Sequence, residues 1–568
     1  MQIKVSDYII KFLIQKQIKT IFGYPGGVVC HLIDSVRKFD DKISIKLNYH
    51  EQASSFAACS YALASGNMGA VIATSGPGAL NLVTGIANAW FDSIPVILIT
   101  GQVDTYIQKG KLKIRQSGFQ ETDIVQIVKP ITKYAVKIDK ADNIKYELEK
   151  AYNLALNGRK GPVLIDVPAD IQRAFIDEEN LKGYKIKEIK KDFSAKNVFK
   201  LLNNAKRPII LAGAGAKDKS SKKLLNKFIE KWQIPFVTSM SAFDIFEYDN
   251  PFNLGFIGTN GHRYANISLA KADLILSLGN RLDIKQTGNK RNIIPEYKTL
   301  IRVEIDKEEL KHKLLKNETG INIDVKEFLE KMLEFKPDFI KRDKNWNLIT
   351  GKIKSRLEFK NDTEEAHIFL RKISAFAPED FQYTLDVGQN EVWAAQALEI
   401  KKGQNVFMSA GLGAMGYSLP ASIGVYEALK KPVIMISGDG GMQMNLQELE
   451  YISKNNVPVL MIVLNNRALG MIRHFQEKNF NSNFYLTTKD TGYYAPDFEK
   501  IAFSYGIEYK KIVNKEQIDG TIFEIKKPKL VEILLRENTC LIPNFGKEIL
   551  YKQEPLMDEN SFIELMKL

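Results

Sequence analysis

The chain predicts an α/β protein of three doubly wound domains with mainly parallel sheets. Its 568 residues exceed what one hydrophobic core can hold, so two to four domains are expected. Apolar runs of strand length recur and end in glycine-rich turns: "GAVIATSGPGALN", "IPVILITGQV", "RPIILAGAGAK", "ADLILSLGNRLD" and "KPVIMISGDGG". A continuous apolar run, as opposed to an alternating one, suits a parallel strand buried on both faces. Helix-length segments separate these runs, and that alternation implies parallel sheets covered by helices.

Taken in order, the first block covers residues 1–171 and closes on the strand "GPVLIDVP". A polar stretch from Gln172 to about Lys196 reads as a linker. The second block, 190–337, opens with "RPIILAGAGAK" and runs through "IRVEID". A second linker is expected from about Asp338 to Thr363, lysine-rich and poor in apolar periodicity. The third block is 364–536. The tail, 537–568, reads as irregular after Cys540 and is expected to lie over a surface or an active-site mouth.

Composition narrows the function classes. Hydrophobic content of 45% and charged content of 26% are those of a soluble globular protein. No apolar run approaches the ~18 residues of a membrane span. The first residues mix lysines into apolar positions and lack a signal-peptide core. Cys30, Cys59 and Cys540 cannot build a disulfide framework and suit a reducing compartment, so the cytoplasm is expected. The net charge of +13 is dispersed among acidic residues, with no aromatic-interleaved basic motif. No nucleic-acid partner follows from it.

The chemistry begins at "GDGGMQMNLQELEYISKNNVPVLMIVLNN", Gly438 to Asn466. Val433 to Ile436 read as a buried strand, Leu446, Leu449 and Ile452 as a helix face, and "VLMIVLNN" as a second strand. Ligands gather at the carboxyl ends of strands in such a unit. Asp439 and Asn466 sit at two such ends. A carboxylate and an amide oxygen suit Mg²⁺, which takes its remaining ligands from water and phosphate. Gly438, Gly440 and Gly441 leave backbone N–H groups free for that phosphate. An ordinary turn with a capping Asp is the competing reading of Gly-Asp-Gly alone. Its union with Asn-Asn through strand, helix and strand resembles the thiamin diphosphate motif of the thiamin-dependent enzymes. By that resemblance Asp439, Asn466 and the Ala468 carbonyl ligate Mg²⁺.

Further motifs extend the likeness. "YPGG" (Tyr24 to Gly27), "HEQ" (His50 to Gln52), "TSGPG" (Thr74 to Gly78) and "FQE" (Phe119 to Glu121) occur in this order. Together they resemble the amino-terminal domain of the acetolactate synthase family. The resemblance implies that Glu51 acts on N1′ of the aminopyrimidine, with Gln120 beside it. A carboxyl among apolar neighbours has its charged form disfavoured and can share a proton with a ring nitrogen. In "SAGLGAMGYSLPASIG" the Gly413 carbonyl would accept from the 4′-amino group, and Met415 would bend the cofactor. In "DVGQNEVWAAQ", Gly388, Gln389 and Asn390 would serve the diphosphate; the family often has His where Asn390 stands.

The second block resembles the family's FAD-binding domain through Gly213 and Gly215, Thr238 and Met240, and "GNRLDIKQTG". Arg281 and Asp283 would hold flavin phosphates or ribitol, and Glu304 or Asp306 the adenosine end. Three departures concern the second substrate: Lys285 where Arg is usual, Phe475 where biosynthetic members carry Trp, and Ala169 where they have Lys. Arg binds a carboxylate bidentately and Lys cannot copy that.

The resemblance therefore implies decarboxylation of a 2-oxoacid, pyruvate first, and transfer of the hydroxyethyl carbanion to a carbonyl acceptor, with acetolactate formation as the first assignment. Alternatives are a carboligase using a keto sugar nucleotide or another acceptor, a flavin-dependent pyruvate oxidase, and a non-catalytic homologue. A homodimer or homotetramer is implied, and a small regulatory subunit is possible.

Overall fold

The computed structural model describes residues 2–186, 193–288, 298–358, 365–544 and 552–568. Each of the three blocks is built on a six-stranded sheet whose strand pairings are all parallel. The first block contributes β1 (Gln2–Lys4), β2 (Thr20–Gly23), β3 (Ser44–Leu47), β4 (Gly69–Ala73), β5 (Val96–Gln102), β6 (Tyr134–Lys137), β7 (Val163–Pro168) and β8 (Phe175–Asp177). Its sheet runs β3-β2-β4-β5-β7-β6, while β1 and β8 form a separate antiparallel ribbon. The stretch expected as a linker from Gln172 therefore begins as ordered structure. Gln172 lies in a short helix, Ala169–Arg173, and β8 gives the chain's first strand its backbone partner. The expected boundary at 190 falls outside the described residues.

The second block contributes β9 (Pro208–Ala212), β10 (Phe236–Thr238), β11 (Asn253–Phe256), β12 (Leu274–Leu278), β13 (Thr299–Val303) and β14 (Glu318–Ile321), in the order β11-β10-β9-β12-β13-β14. This is the strand order of dinucleotide-binding sheets, with its switch point between β9 and β12. The third block contributes β15 (Gln382–Leu385), β16 (Val406–Met408), β17 (Val433–Gly438), β18 (Val459–Asn465), β19 (Glu508–Ile512) and β20 (Lys529–Leu534), ordered β16-β15-β17-β18-β20-β19. The first and third sheets thus share one topology. Strands such as β5 and β18 are buried at every position, as their unbroken apolar runs require.

Those two sheets meet through one pair of helices. Glu51–Ser65 follows β3, and Ser418–Leu429 follows β16 at the equivalent place. Small residues let the backbones touch. A Cβ on Gly424 would stand 2.0 Å from the Ala57 carbonyl oxygen, and Ser60 Oγ donates to the Ala421 carbonyl at 2.9 Å. Phe56 meets Tyr417 edge to face at 5.4 Å. Phe22, Val71 and Leu98 of the first block share a single core with Ile423, Met435 and Met461 of the third.

The second expected linker is corrected in its middle part. Trp346–Leu357 is a helix, and Trp346, Ile349 and Ile353 pack against Ile209, Ile275 and Leu300 of the central sheet. Their three- and four-residue spacing is helical, but the glycine and polar residues between them conceal it. Trp346 Nε1 donates to the Pro208 carbonyl at 2.8 Å. The boundary at 364 lies outside the described residues. The tail is also less irregular than expected: it ends in a helix, Glu559–Lys567, with Leu565 in the same cluster. Gln553 Nε2 donates to the Gly261 carbonyl at 2.8 Å, which seats the tail on the central block. Among the described residues no helix is long and apolar enough to cross a membrane.

Trp346 makes this docking testable. Trp346→Ala is expected to destabilise the protein by ~3–5 kcal/mol, the usual cost of truncating a buried Trp. Urea unfolding followed by circular dichroism should show an earlier first transition. An unchanged transition would mean that the helix merely covers the sheet.

Candidate active site

β17 and β18 pair in parallel with Gly438 opposite Leu464, so Asp439 and Asn466 emerge beside each other at the carboxyl ends. Asp439 opens a short helix, Asp439–Met442. A third element joins them: the helix Gln389–Ala397, entered through Gly388 at φ +135°, a left-handed conformation that favours glycine. Asn466 Nδ2 lies 3.5 Å from Gln389 Oε1 as donor, and a Cβ on Gly470 would collide with that oxygen at 1.9 Å. Ala468 is buried; its N–H donates to Asn466 Oδ1 at 3.3 Å.

Asp439 Oδ2 accepts from the Tyr493 hydroxyl at 2.8 Å, and Gln443 Nε2 donates to that hydroxyl at 3.2 Å. Burial pushes the Asp439 carboxyl up to about 7, and an adjacent cation would restore the ionised form. Among the described residues there is no cluster of three or more His, Cys, Asp or Glu able to hold a metal. One carboxylate, one amide oxygen and one carbonyl are instead what Mg²⁺ accepts when phosphate and water complete its shell. The surroundings fit a diphosphate. Gln389 Nε2 is buried without a hydrogen-bond partner among the described residues. A Cβ on Gly440 would lie 2.9 Å from Leu469 Cδ2, and one on Gly441 2.7 Å from Asp386 Oδ1. Gly438 is similarly close to Asn390 Oδ1, at 3.2 Å. Asn390, read as a diphosphate donor, gives its Nδ2 to the Asp386 carbonyl at 2.6 Å and so also braces the chain behind Gly388.

The segment Ser409–Ser418 carries Gly413, at φ +69°, and Met415, whose side chain is exposed. Two aspartates that sequence reading did not single out hold its ends. Asp92 accepts from the N–H groups of Ala410 at 3.1 Å and Gly411 at 2.7 Å. Asp386 accepts from Gly416 N–H at 2.9 Å, and from Ser418 N–H and Oγ at 2.9 and 2.8 Å. Burial pushes the Asp92 carboxyl up to about 6 and raises Asp386 as well. The helix expected across Leu446 to Ile452 is broken in two near this segment. Gln443–Glu448 is a 3-10 turn with Asn445 at φ −137°, and Leu449–Lys454 is α-helical. Asn445 leaves the helical conformation while its Nδ2 donates to the Gly416 carbonyl at 2.8 Å.

Glu51 begins its helix as expected, and His50 caps it by accepting from Gln52 N–H. The Glu51 carboxylate is buried and accepts from Asn81 Nδ2 at 2.9 Å. A Cβ on Gly78 would approach Glu51 Oε1 to 3.0 Å. Gly76, at φ +59°, packs against Gln120, itself at φ +63°. Glu121 fixes that turn by accepting from the N–H groups of Lys109, Ser117 and Gly118. Across the blocks, Glu448 accepts from Asn48 Nδ2 and Tyr49 N–H, both at 2.8 Å.

In the central block, Thr238 at the carboxyl end of β10 has a buried hydroxyl without a hydrogen-bond partner among the described residues, and Met240 opens the following 3-10 turn. The switch-point geometry and this orphaned hydroxyl fit a dinucleotide. Other candidates have structural duties. A Cβ on Gly213 or Gly215 would meet Gly279, at 2.2 Å from its oxygen and 2.9 Å from its Cα, so both glycines serve the packing of two turns. Asp283 caps the helix Ile284–Thr287 and lies 3.6 Å from Arg281. Glu304 accepts from Asp306 N–H, and Asp306 caps Lys307–Lys311 and pairs with Arg159 at 3.2 Å. The three acceptor candidates stand on three different blocks: Ala169 partly exposed, Lys285 and Phe475 exposed.

Tyr493 carries a prediction, because its hydroxyl orients the Asp439 carboxylate. Loss of such a partner typically weakens metal binding about 10- to 100-fold, and Tyr493→Phe is expected to do so for Mg²⁺ in the presence of thiamin diphosphate. Titration calorimetry would reveal it; unchanged affinity would show that Tyr493 has no influence on the carboxylate.

Comparison with known proteins accords with this geometry. Residues 3–127 match the thiamine pyrophosphate enzyme N-terminal TPP binding domain, 195–332 the central domain, and 386–533 the C-terminal TPP binding domain. The acetolactate synthase large subunit of Lactococcus lactis is 33% identical, over 95% of this chain and 93% of its own. A probable acetolactate synthase large subunit of Methanocaldococcus jannaschii is 34% identical over 100% and 98%. The acetolactate synthase isozyme 2 large subunit of Escherichia coli is 31% identical over 94% and 95%. With a thiamine pyrophosphate domain at each end of a chain that these relatives match throughout, this protein is a thiamine-pyrophosphate-dependent enzyme and belongs to the family of the acetolactate synthase large subunits.

Proposed function

We propose that the protein decarboxylates pyruvate and joins the two-carbon unit to a second 2-oxoacid, as an acetolactate synthase. The observation that carries this reading is the meeting of Asp439, Asn466, Ala468 and Gln389 at adjacent parallel strand ends. Bound there, thiamin diphosphate supplies the nucleophilic carbon and the electron sink of the reaction. The protein's own residues do the rest. Asp439, Asn466 and the Ala468 carbonyl hold Mg²⁺. Gln389 and the N–H groups around Gly440 and Gly441 bind the diphosphate. The Gly413 carbonyl accepts from the aminopyrimidine, Met415 supports its bend, and Glu51 holds a proton at N1′. Gln120 lines the same face.

FAD is proposed for the carboxyl ends of the central sheet's strands, with Thr238, Met240, Arg281 and the turn after β13 as its surroundings. Its part is structural, since joining two oxoacids transfers no electrons. A homodimer or homotetramer in the cytoplasm is proposed, so that Glu51 of one subunit can serve another. The relatives are named large subunits, which supports a small regulatory partner here too. Phe475, Lys285 and Ala169 favour a second reading of the acceptor alone, in which a larger carbonyl compound such as a keto sugar nucleotide replaces the second oxoacid.

Incubation with pyruvate, Mg²⁺ and thiamin diphosphate, followed by product identification, tests the whole reading. Acetolactate is expected; acetate would instead indicate a flavin-dependent oxidase, and no turnover of any 2-oxoacid would refute the proposal. Glu51→Gln should abolish exchange of the cofactor's C2 proton while leaving cofactor affinity near normal, because the diphosphate is held in the third block. Normal exchange in that variant would remove Glu51 from its role. Protein loaded with FAD, desalted and denatured should release flavin, and complete absence would remove it from the central block.

Acceptor choice gives the sharpest number. A methylene's worth of apolar fit yields only ~1–3 kcal/mol of discrimination. Phe475, smaller than an indole, should hold the wild type near the bottom of that range. In competition, 2-oxobutyrate is expected to gain little over pyruvate as acceptor, and Phe475→Trp to raise its share. A strong native preference for 2-oxobutyrate would make the three departures irrelevant to specificity.

A further inference from the structure

The loop from Ser409 to Ser418 has few apolar anchors of its own at the point where it carries Gly413. Leu412 and Met415 are exposed, and only Ala414 between them is buried. Its shape is set by polar contacts. Asp386 grips the distal end from within the third block. The proximal end is gripped from the first block: Asp92, at the end of the helix Val83–Phe91, accepts from Ala410 and Gly411, 318 and 319 residues away in sequence. One turn earlier in that helix, Asn88 accepts from Ser409 Oγ, and the same Oγ accepts from Ala414 N–H at 3.0 Å. A Cβ on Gly411 would lie 2.9 Å from Asp92 Oδ1, so the loop approaches the carboxylate as closely as a glycine allows.

Two parallel N–H donors on one carboxylate form a charge-assisted, bidentate contact, and such contacts fix geometry as well as adding energy. Gly413 lies two residues from Gly411 and one from Ala414. An error in the clamp therefore shifts the carbonyl that faces the cofactor, and misplacement on the order of 1 Å can cost about 100-fold in rate.

We infer that Asp92 is a positioning residue for cofactor activation: from the first block it sets where the third block presents the Gly413 carbonyl and Met415. The inference rests on the thiamin diphosphate reading of the site. It concerns orientation and leaves affinity to the Gly438–Gly441 turn. Asp92 touches neither Asp439 nor Asn466 through any hydrogen bond described above, so its loss acts on the pyrimidine side of the cofactor.

The test uses Asp92→Asn, close in shape but with one acceptor oxygen and an amide that opposes the second N–H, and Asp92→Ala, which removes both acceptors. Three measurements separate the outcomes. In the protein without cofactor, hydrogen–deuterium exchange of peptides covering residues 406–418 should quicken in both variants. With Mg²⁺, thiamin diphosphate should bind within about threefold of the parent affinity. Exchange of the bound cofactor's C2 proton should fall at least tenfold, with kcat reduced and KM for pyruvate nearly unchanged. Parent-like C2 exchange in Asp92→Asn, at saturating cofactor, would overturn the inference and leave the site reading intact. Equal losses of affinity and exchange would also overturn it, since they would make Asp92 a structural support only. Should Asp92→Ala not fold, Asp92→Asn alone decides. A parent protein that binds no thiamin diphosphate would instead overturn the site reading, and this inference with it.

Discussion

Everything at the candidate site depends on the close contact between the helices Glu51–Ser65 and Ser418–Leu429. Gly424 lies so near the Ala57 carbonyl that no Cβ fits between them, and the alanine-rich face of the first helix has no bulk to hold the second away. That contact merges the cores of the first and third sheets. Glu51 starts one of these helices, and the Gly413 segment leads into the other. Asp92 and Asn88, through which the first block reaches that segment, stand on the neighbouring helix Val83–Phe91 and its end. A Cβ at Gly424 would press on the Ala57 carbonyl oxygen and the Ser60 hydroxyl, at 2.0 and 2.2 Å, and force the helices apart.

On this frame, buried polar groups rather than apolar contacts set the fine geometry. Asp92, Asp386, Glu448 and Asp439 are all acceptors whose carboxyls burial raises above the ordinary range. An unpaired buried charge is costly, and each of these carboxylates meets that cost by accepting hydrogen bonds from backbone N–H groups, a hydroxyl or an amide. All four also join segments distant in sequence: Asp92 and Glu448 span the first and third blocks, Asp386 reaches Gly416 and Ser418, 30 and 32 residues on, and Asp439 reaches Tyr493, 54 residues on. Asp439 differs in standing at the carboxyl end of β17 beside Asn466, with its Oδ2 taken by the Tyr493 hydroxyl. It is the carboxylate left with capacity for a cation.

The strands were legible in the sequence because parallel strands buried on both faces must be apolar throughout, and their carboxyl ends were legible because glycines and asparagines stop them. Asp439 and Asn466 could be paired before any coordinates, since adjacent parallel strands align their ends. Where a residue's duty depends on a distant partner, sequence failed. Asp92 is one polar residue in "WFDSIP", and nothing local says that its partners lie 318 positions away. The helix Trp346–Leu357 was hidden for another reason: three apolar anchors among lysines are too few to raise a periodic signal, yet a buried Trp is enough to dock it.

Gly213, Gly215 and Asp283 teach the opposite lesson. Each looks like part of a ligand site in sequence, and each has a sufficient structural explanation in the fold, two by close packing of turns and one by capping a helix. The case for a dinucleotide in the central block therefore moves from these motifs to the sheet itself. Its strand order puts the reversal of winding between β9 and β12, the place where such sheets gather ligands at their strand ends, although the turns after these two strands pack together, with Gly215 N–H donating to the Gly279 carbonyl at 3.1 Å. Thr238, on β10, keeps a buried hydroxyl that no atom among the described residues satisfies. The strand order and a buried polar group left without a partner are independent of one another. Together they argue for a bound molecule more firmly than the glycines could.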